Sequence, residues 1–225
     1  MPKVTEEYIQ NKKNMIVRTA YDLCLKKTVS TVTMQDIIDA TGLSQGGIYR
    51  FYKDIDEIFK DMLLDNRQRV SICPQIDEIF ENADSEDIKT VMHKAFELLA
   101  DFMTKELMGI VKINFELSVL SMNSPSRVEK ILGETEGTGS FEYLFMNVSK
   151  YLTEKIISGA VKPKVSTEEL LTYLTTTYNG IEMCCIIHYC YKKLPLMEWY
   201  VPKTQLKTLE TTLYYLLGLE DLKGE

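Results

Sequence analysis

Three side chains within six residues could touch a nucleic acid: Gln45, Tyr49 and Arg50. A glutamine amide reaches base edges, a tyrosine hydroxyl donates to a phosphate, and a guanidinium supplies charge. Gly46 and Gly47 lie between them. Each glycine costs a helix about 1 kcal/mol relative to alanine. A bare surface that lets the backbone lie against a groove wall is one compensation. The same stretch offers a rival chemistry. Gly42-Leu43-Ser44-Gln45-Gly46 satisfies the G-x-S-x-G spacing of a hydrolase nucleophile elbow. That elbow needs a strand before the serine and a histidine as base. A helical pattern precedes Ser44 instead, and the two histidines are the distant His93 and His188. Ser44 is expected to cap a helix, and no enzyme is expected.

Two other groups could do chemistry. Cys184, Cys185, His188 and Cys190 fall within one helical stretch, with Cys184 and His188 four apart on a shared face. A metal could use such a pair, but Cys185 and Cys190 point elsewhere, so small packing residues and no metal are expected. Glu116 and Glu182 interrupt the apolar stretches 113–120 and 181–187. A buried carboxylate needs a partner or a shifted pKa. Either residue lines a pocket and meets a cationic or hydrogen-bonding ligand, or Lys112, a tyrosine or solvent satisfies it. Phe102, Phe115 and Tyr178 complete the candidate ligand-binding set. Aromatics and methionines (Phe96, Met103, Met108, Tyr173, Met183) are plentiful around them, mostly as core, some as the wall of an adaptable apolar pocket.

Helices must position these groups. Ile16, Val17, Ala20, Leu23 and Cys24 make the apolar stripe of a first helix over 6–27. Thr33 can cap a short helix with Asp36 in its first turn, and Met34, Ile37, Ile38 and Thr41 form its inner face. Gly42 breaks it, and Ser44 starts another running to about Tyr52. Ala40 is small enough for the two to approach, with Leu43 and Ile48 filling the core beneath the turn. Asp54 and Glu57 resemble a capping box that opens a longer helix, ended or kinked at Pro74. Further helices are expected over 85–103, over 106–122 (buried on most sides), over 126–160 with a break near Gly133, Gly137 and Gly139, over 166–193 ending at Leu194-Pro195, and over 202–218. No alternating strand pattern stands out, so the fold class is all-α.

The chain has 225 residues, 26 basic and 33 acidic, for a net charge of −7. A generally basic nucleic-acid coat protein is thereby excluded, though a local basic patch is not. Residues 1–55 carry eight basic and six acidic residues, net +2, and the remainder is net −9. A mildly basic module joined to an acidic body suits a DNA reader attached to a sensing domain. Five cysteines without disulfide-framework spacing read as free thiols. No apolar run approaches a membrane span, and Met1–Glu7 lack the apolar core of a signal peptide, so a cytoplasmic protein with no membrane association is expected.

Residues 9–58 resemble the N-terminal domain of the TetR/AcrR family of transcriptional regulators. The resemblance rests on Thr33, Asp36-Ile37, Ala40-x-Gly42-Leu43-Ser44, Gly47-Ile48-Tyr49 and Phe51-Tyr52-Lys53 after an apolar first helix. A weaker likeness to the family's regulatory domain covers 116–125. The resemblance implies a helix-turn-helix head over 1–55 and a ligand-sensing, dimerising body over 56–225. It places DNA contacts on Thr33, Gln35, Gln45, Gly47, Tyr49 and Lys53, which with Ser44 and Arg50 form the expected interface. It implies a homodimer on a palindromic double-stranded DNA operator, paired through the last two helices, and a small, largely apolar effector that releases it, with no cofactor. Thr28 stands where the family usually has glycine, and Ile55 where a phosphate-binding lysine usually opens the fourth helix. Loss of that contact weakens binding to all sequences, which leaves an alternative: an adaptor of the same shape that binds a protein partner.

Overall fold

A computed structural model describes residues 5–133, 139–191 and 201–220. Among them are eleven α-helices and no strand. Thr5 caps α1 (Glu6–Lys26), whose inner face buries Ile16, Val17, Ala20 and Cys24. Thr33 and Asp36 close a reciprocal capping box on α2 (Met34–Thr41), and Gly42 ends it at φ 68°. That left-handed angle suits glycine because no Cβ is present to clash. Ser44 caps α3 (Gln45–Tyr49), and Asp54 caps α4 (Ile55–Arg69). Ile48, Ile58, Phe59 and Met62 are fully buried. Ala40, expected where α2 and α3 approach, is exposed instead.

Beyond α4 several expectations change. The fourth helix stops at Arg69, and Pro74 opens a new helix, α5 (Cys73–Glu81), rather than ending an old one. Proline suits a first turn, where its missing N–H would have no partner anyway. α6 (Ile88–Glu106) does not start the next helix afresh. It runs through a π-helical turn over Leu107–Val111, where Gly109 leaves helical angles, into α7 (Lys112–Asn123). α7 buries one face, not most of its surface: Lys112, Ile113, Glu116 and Leu117 are inside, while Met122 is 82% exposed. The expected break in 126–160 separates α8 (Pro125–Leu132) from α9 (Ser140–Ile157); Gly137 lies outside the described residues. Ser166 and Glu169 exchange the expected capping bonds at the start of α10 (Thr167–Tyr191). Its expected end at Leu194-Pro195 lies outside the described residues. Pro202 opens α11 (Pro202–Leu216), as expected.

The chain forms two compact units, Met1–Val70 with Lys112–Gly137, and Ser71–Val111 with Thr138–Glu225. The first reaches past the boundary at residue 55 expected from the sequence, for a physical reason. α4 packs against α1, and α7 and α8 return to pack on the head. α8 also ties itself to the start of α4 through Arg127–Asp56 at 2.8 Å and Lys130–Asp54 at 2.7 Å. In the second unit α11 packs against α6 and α10, and α9 against α5 and α6.

Candidate nucleic-acid interface and apolar cavity

The first unit presents most of the expected interface side chains to solvent. Thr33, Gln35, Ser44, Gln45, Arg50 and Lys53 are exposed, Tyr49 is 45% exposed, and Gly47 is half-buried. Several of these residues also organise the backbone beneath them. Thr33 Oγ1 accepts from Asp36 N at 3.2 Å, and Ser44 Oγ from Gly47 N at 3.2 Å. Each bond satisfies an amide left free at a helix start. Hydrogen bonds from Lys27 and Thr33 hold the Asp36 carboxyl down at about 2. Gln35 is folded onto Asp39, with Nε2 donating to Oδ1 at 2.7 Å. Its amide must therefore leave that partner to reach a base. The Lys53 amide donates to Glu57 at 2.7 Å, leaving its ammonium outward. Ile55 is half-buried at the first position of α4, between Asp54 and Asp56, whose charges Lys130 and Arg127 meet.

Ser44 has none of the surroundings of a nucleophile elbow. A helix precedes it, its oxygen caps α3, and both histidines belong to the second unit.

Glu116 is placed where no ligand is needed to explain it. It lies in the first unit at 5% exposure, accepting from Val29 N at 2.7 Å and from Lys112 Nζ at 2.8 Å. Lys112, equally buried, also donates to Cys24 O at 2.7 Å and Lys27 O at 3.2 Å. A cation on the last carbonyls of α1 also opposes the partial negative charge at that helix end. Burial pushes the neighbouring Cys24 thiol up to about 12, so it stays protonated. This latch was half legible: Lys112 was foreseen as a partner, but the α1 carbonyls 85 to 88 residues earlier were not.

The second unit holds an apolar cavity of about 50 Å³. α6 contributes Met92, Ala95, Phe96 and Leu99, and α9 contributes Phe141, Leu144, Phe145 and Val148. Leu174 and Tyr178 of α10 and Leu209 of α11 close it. Of the expected ligand-binding residues, Tyr178 lines this cavity and Glu182 adjoins it, accepting from the Tyr178 hydroxyl at 3.1 Å. Phe102, Phe115 and Glu116 are not in its wall; Phe115 and Glu116 belong to the first unit. Phe141, which stacks on Tyr178 with centroids 3.9 Å apart, carried no signal beyond being aromatic. Met108, Tyr173 and Met183 are exposed rather than core.

Among the described residues no three His, Cys, Asp or Glu side chains are grouped to hold a metal. Cys185 is buried with its thiol pushed up to about 12 by that burial, Cys184 and His188 are half-buried, and Cys190 Sγ lies 3.8 Å from Leu107 O. No described helix is long and apolar enough to cross a membrane.

Comparison with known proteins agrees with this arrangement. Residues 16–62 match the family model for bacterial regulatory proteins of the tetR family. A curated relative, the uncharacterized HTH-type transcriptional regulator YfiR of Bacillus subtilis, is 29% identical over 62 residues. That stretch is 28% of this chain and 30% of the relative's length. Among solved structures, GusR of Salmonella enterica is similar over 96% of this chain and 99% of its own, with 15% identity and a TM-score of 0.57. NalD of Pseudomonas aeruginosa, the secondary repressor of the MexAB-OprM multidrug efflux pump, covers 93% and 98% at 15% identity and a TM-score of 0.59. PfmR of Thermus thermophilus, a TetR-family regulator, covers 92% and 99% at 17% identity and a TM-score of 0.58. These likenesses extend the fold over both units, while the family model matches residues 16–62 of the first. Residues 16–62 thus match the head of tetR-family bacterial regulatory proteins, and the helical fold of the whole chain is similar to that of solved structures that include a TetR-family regulator.

Proposed function

We propose that the protein is a ligand-responsive repressor. It binds a palindromic double-stranded DNA operator as a homodimer and leaves it when a small, largely apolar effector occupies the second unit. The observation that carries this reading is the exposed surface of α3. Gln45, Tyr49 and Arg50 project from a short capped helix whose exposed Gly46 and half-buried Gly47 bring the backbone close to whatever it docks against. In the reading, Gln45 meets base edges, while Tyr49, Arg50, Lys53, Thr33 and Ser44 hold phosphates. Gln35 joins them on release from Asp39, and Gly47 gives close approach.

Homodimerisation is supported by α10, where Tyr173, Thr176 and Met183 share an exposed side. Two-fold symmetry then demands a palindrome with recognition helices about 34–36 Å apart. An effector is supported by the apolar cavity, and the route from cavity to head by chain continuity. α6 walls the cavity and leads through the turn at 107–111 directly into α7, whose Lys112 and Glu116 hold α1. A ligand that favours one conformation of α6 biases the latch by its differential affinity, and no more. The repressor of a multidrug pump among the proteins of similar fold supports repression as the sense of control.

The test is selection of bound duplexes from a random pool with the purified protein at moderate salt. An enriched palindrome is expected. Weak retention with no enriched sequence favours the second reading, an adaptor that binds a protein partner. The acidic first turn of α4 around Ile55 is the observation on that side.

A further inference from the structure

Glu182, beside the cavity, is a charged group that the apolar reading leaves unused. Its carboxylate lies one helical turn beyond Tyr178, whose ring is part of the cavity wall and whose hydroxyl it accepts. Among the described residues no lysine or arginine meets it. The titratable groups around it are Tyr178 and Cys185 on its own helix and Glu142 on α9. α11 and the turn at 107–111, which also pack on α10, bring no charge to bear on it. Glu142 directly follows Phe141, the ring stacked on Tyr178. Glu182 thus adjoins a pair of stacked rings, and among the described residues no cation meets it; Glu142 is exposed.

We propose that this cavity takes a small apolar cation, its organic body against Phe141, Phe145 and Tyr178 and its charge on Glu182. The inference rests on the reading of the cavity as the effector site. The three ligand charges behave differently there. A neutral apolar molecule leaves the half-buried carboxylate without a counter-charge. An anion meets the like charge of Glu182. A cation gains the faces of the aromatic rings and supplies the missing partner, replacing the Tyr178 hydroxyl at the carboxylate. The volume of about 50 Å³ limits the body to a small group unless Met92 and Phe145 repack, which methionine does readily.

Protonation follows from the same geometry. Burial, with help from Glu142, pushes the Glu182 carboxyl up to about 7, so near neutrality a large fraction carries a proton. A bound cation favours the ionised form. Binding therefore releases that proton from the Glu182 oxygen to solvent, and affinity rises with pH until the carboxyl is ionised in the free protein.

Calorimetry on the full chain tests this with three probes of one shape: benzyltrimethylammonium, the neutral neopentylbenzene and phenylmethanesulfonate. The ammonium should bind at least about tenfold more tightly than the neutral isostere, and the sulfonate more weakly than either. Titrations near neutral pH, in two buffers of different ionisation enthalpy, should show a fraction of a proton released per ammonium bound. E182Q should abolish the preference for the ammonium over neopentylbenzene. Equal binding of ammonium and neutral probe to the unaltered protein overturns the inference and leaves the cavity as effector site. Ammonium binding without proton release also overturns it, whether or not E182Q folds. Failure of all three probes to bind overturns both readings.

Discussion

All three protons of the Lys112 ammonium meet an acceptor: Glu116, Cys24 O and Lys27 O. Such a pair is costly to break and cheap to replace, because removing one partner strands a buried charge. K112M should therefore destabilise the first unit by about 3–5 kcal/mol, read from urea unfolding. The double variant K112M/E116L should recover much of that loss. E116Q should cost less than K112M, since its amide oxygen still accepts from Val29 N. Glu182 makes stability depend on pH. Its carboxyl is raised in the folded protein, to about 7, above the usual carboxylate range. The folded state then holds the proton more tightly than the unfolded chain, so this contribution is full below the unfolded pKa. It is lost as pH rises through about 7. The stability of the unaltered protein relative to E182Q should fall by up to roughly 3 kcal/mol from pH 4.5 to 8. Paired thermal unfolding across that range checks it, and a flat difference refutes it.

At the scale of elements, α3 is the conspicuous case, five residues long with two of them glycine. A Cβ at Gly46 would meet nothing within 4 Å, so G46A should stabilise the helix by about 1 kcal/mol. If α3 docks backbone-first against DNA, the same variant should lose operator affinity, measured by fluorescence anisotropy. A rise in both stability and affinity would remove close approach as the reason for the glycine. Gly42 is also open but sits at φ 68°, so G42A should cost about 1–2 kcal/mol. These local features were legible because caps, turns and apolar stripes depend on neighbours in sequence. Thr33, Gly42, Ser44 and Asp54 all stand where the reading put them. What was not legible depends on contacts far along the chain. Pro74 opening α5 and the turn at Gly109 involve choices between two locally acceptable states. The return of α7 and α8 to the head is set by Glu116, Arg127 and Lys130, whose partners lie 71 to 87 residues away. The same limit explains the cavity: Tyr178 and Glu182 could be singled out as a polar interruption of an apolar helix. Which rings of α6 and α9 face them could not be read from spacing.

For the whole molecule the decisive quantity is charge, because the chain is net −7 and only residues 1–55 are net positive. An acidic body is repelled by DNA, so affinity must come from a few phosphate contacts on the head. The number of those contacts sets the slope of log affinity against log salt, at about 0.9 per phosphate neutralised. Ile55 opens α4 where a lysine would add one such contact. The carboxylates on either side of it, Asp54 and Asp56, are already paired with Lys130 and Arg127. A lysine introduced there is free to face solvent, since Ile55 is only half-buried. I55K should therefore tighten binding to every duplex alike and leave the selected sequence unchanged, because a phosphate contact positions without specifying. Its effect on the slope also counts heads. A monomer gains one contact and steepens by about 0.9, whereas a homodimer gains two and steepens by about 1.8. Anisotropy titrations of the unaltered protein and I55K over a range of salt concentrations distinguish these values. The larger change is expected; the smaller would mean that one head binds at a time, and with it the palindrome and the dimer would fall.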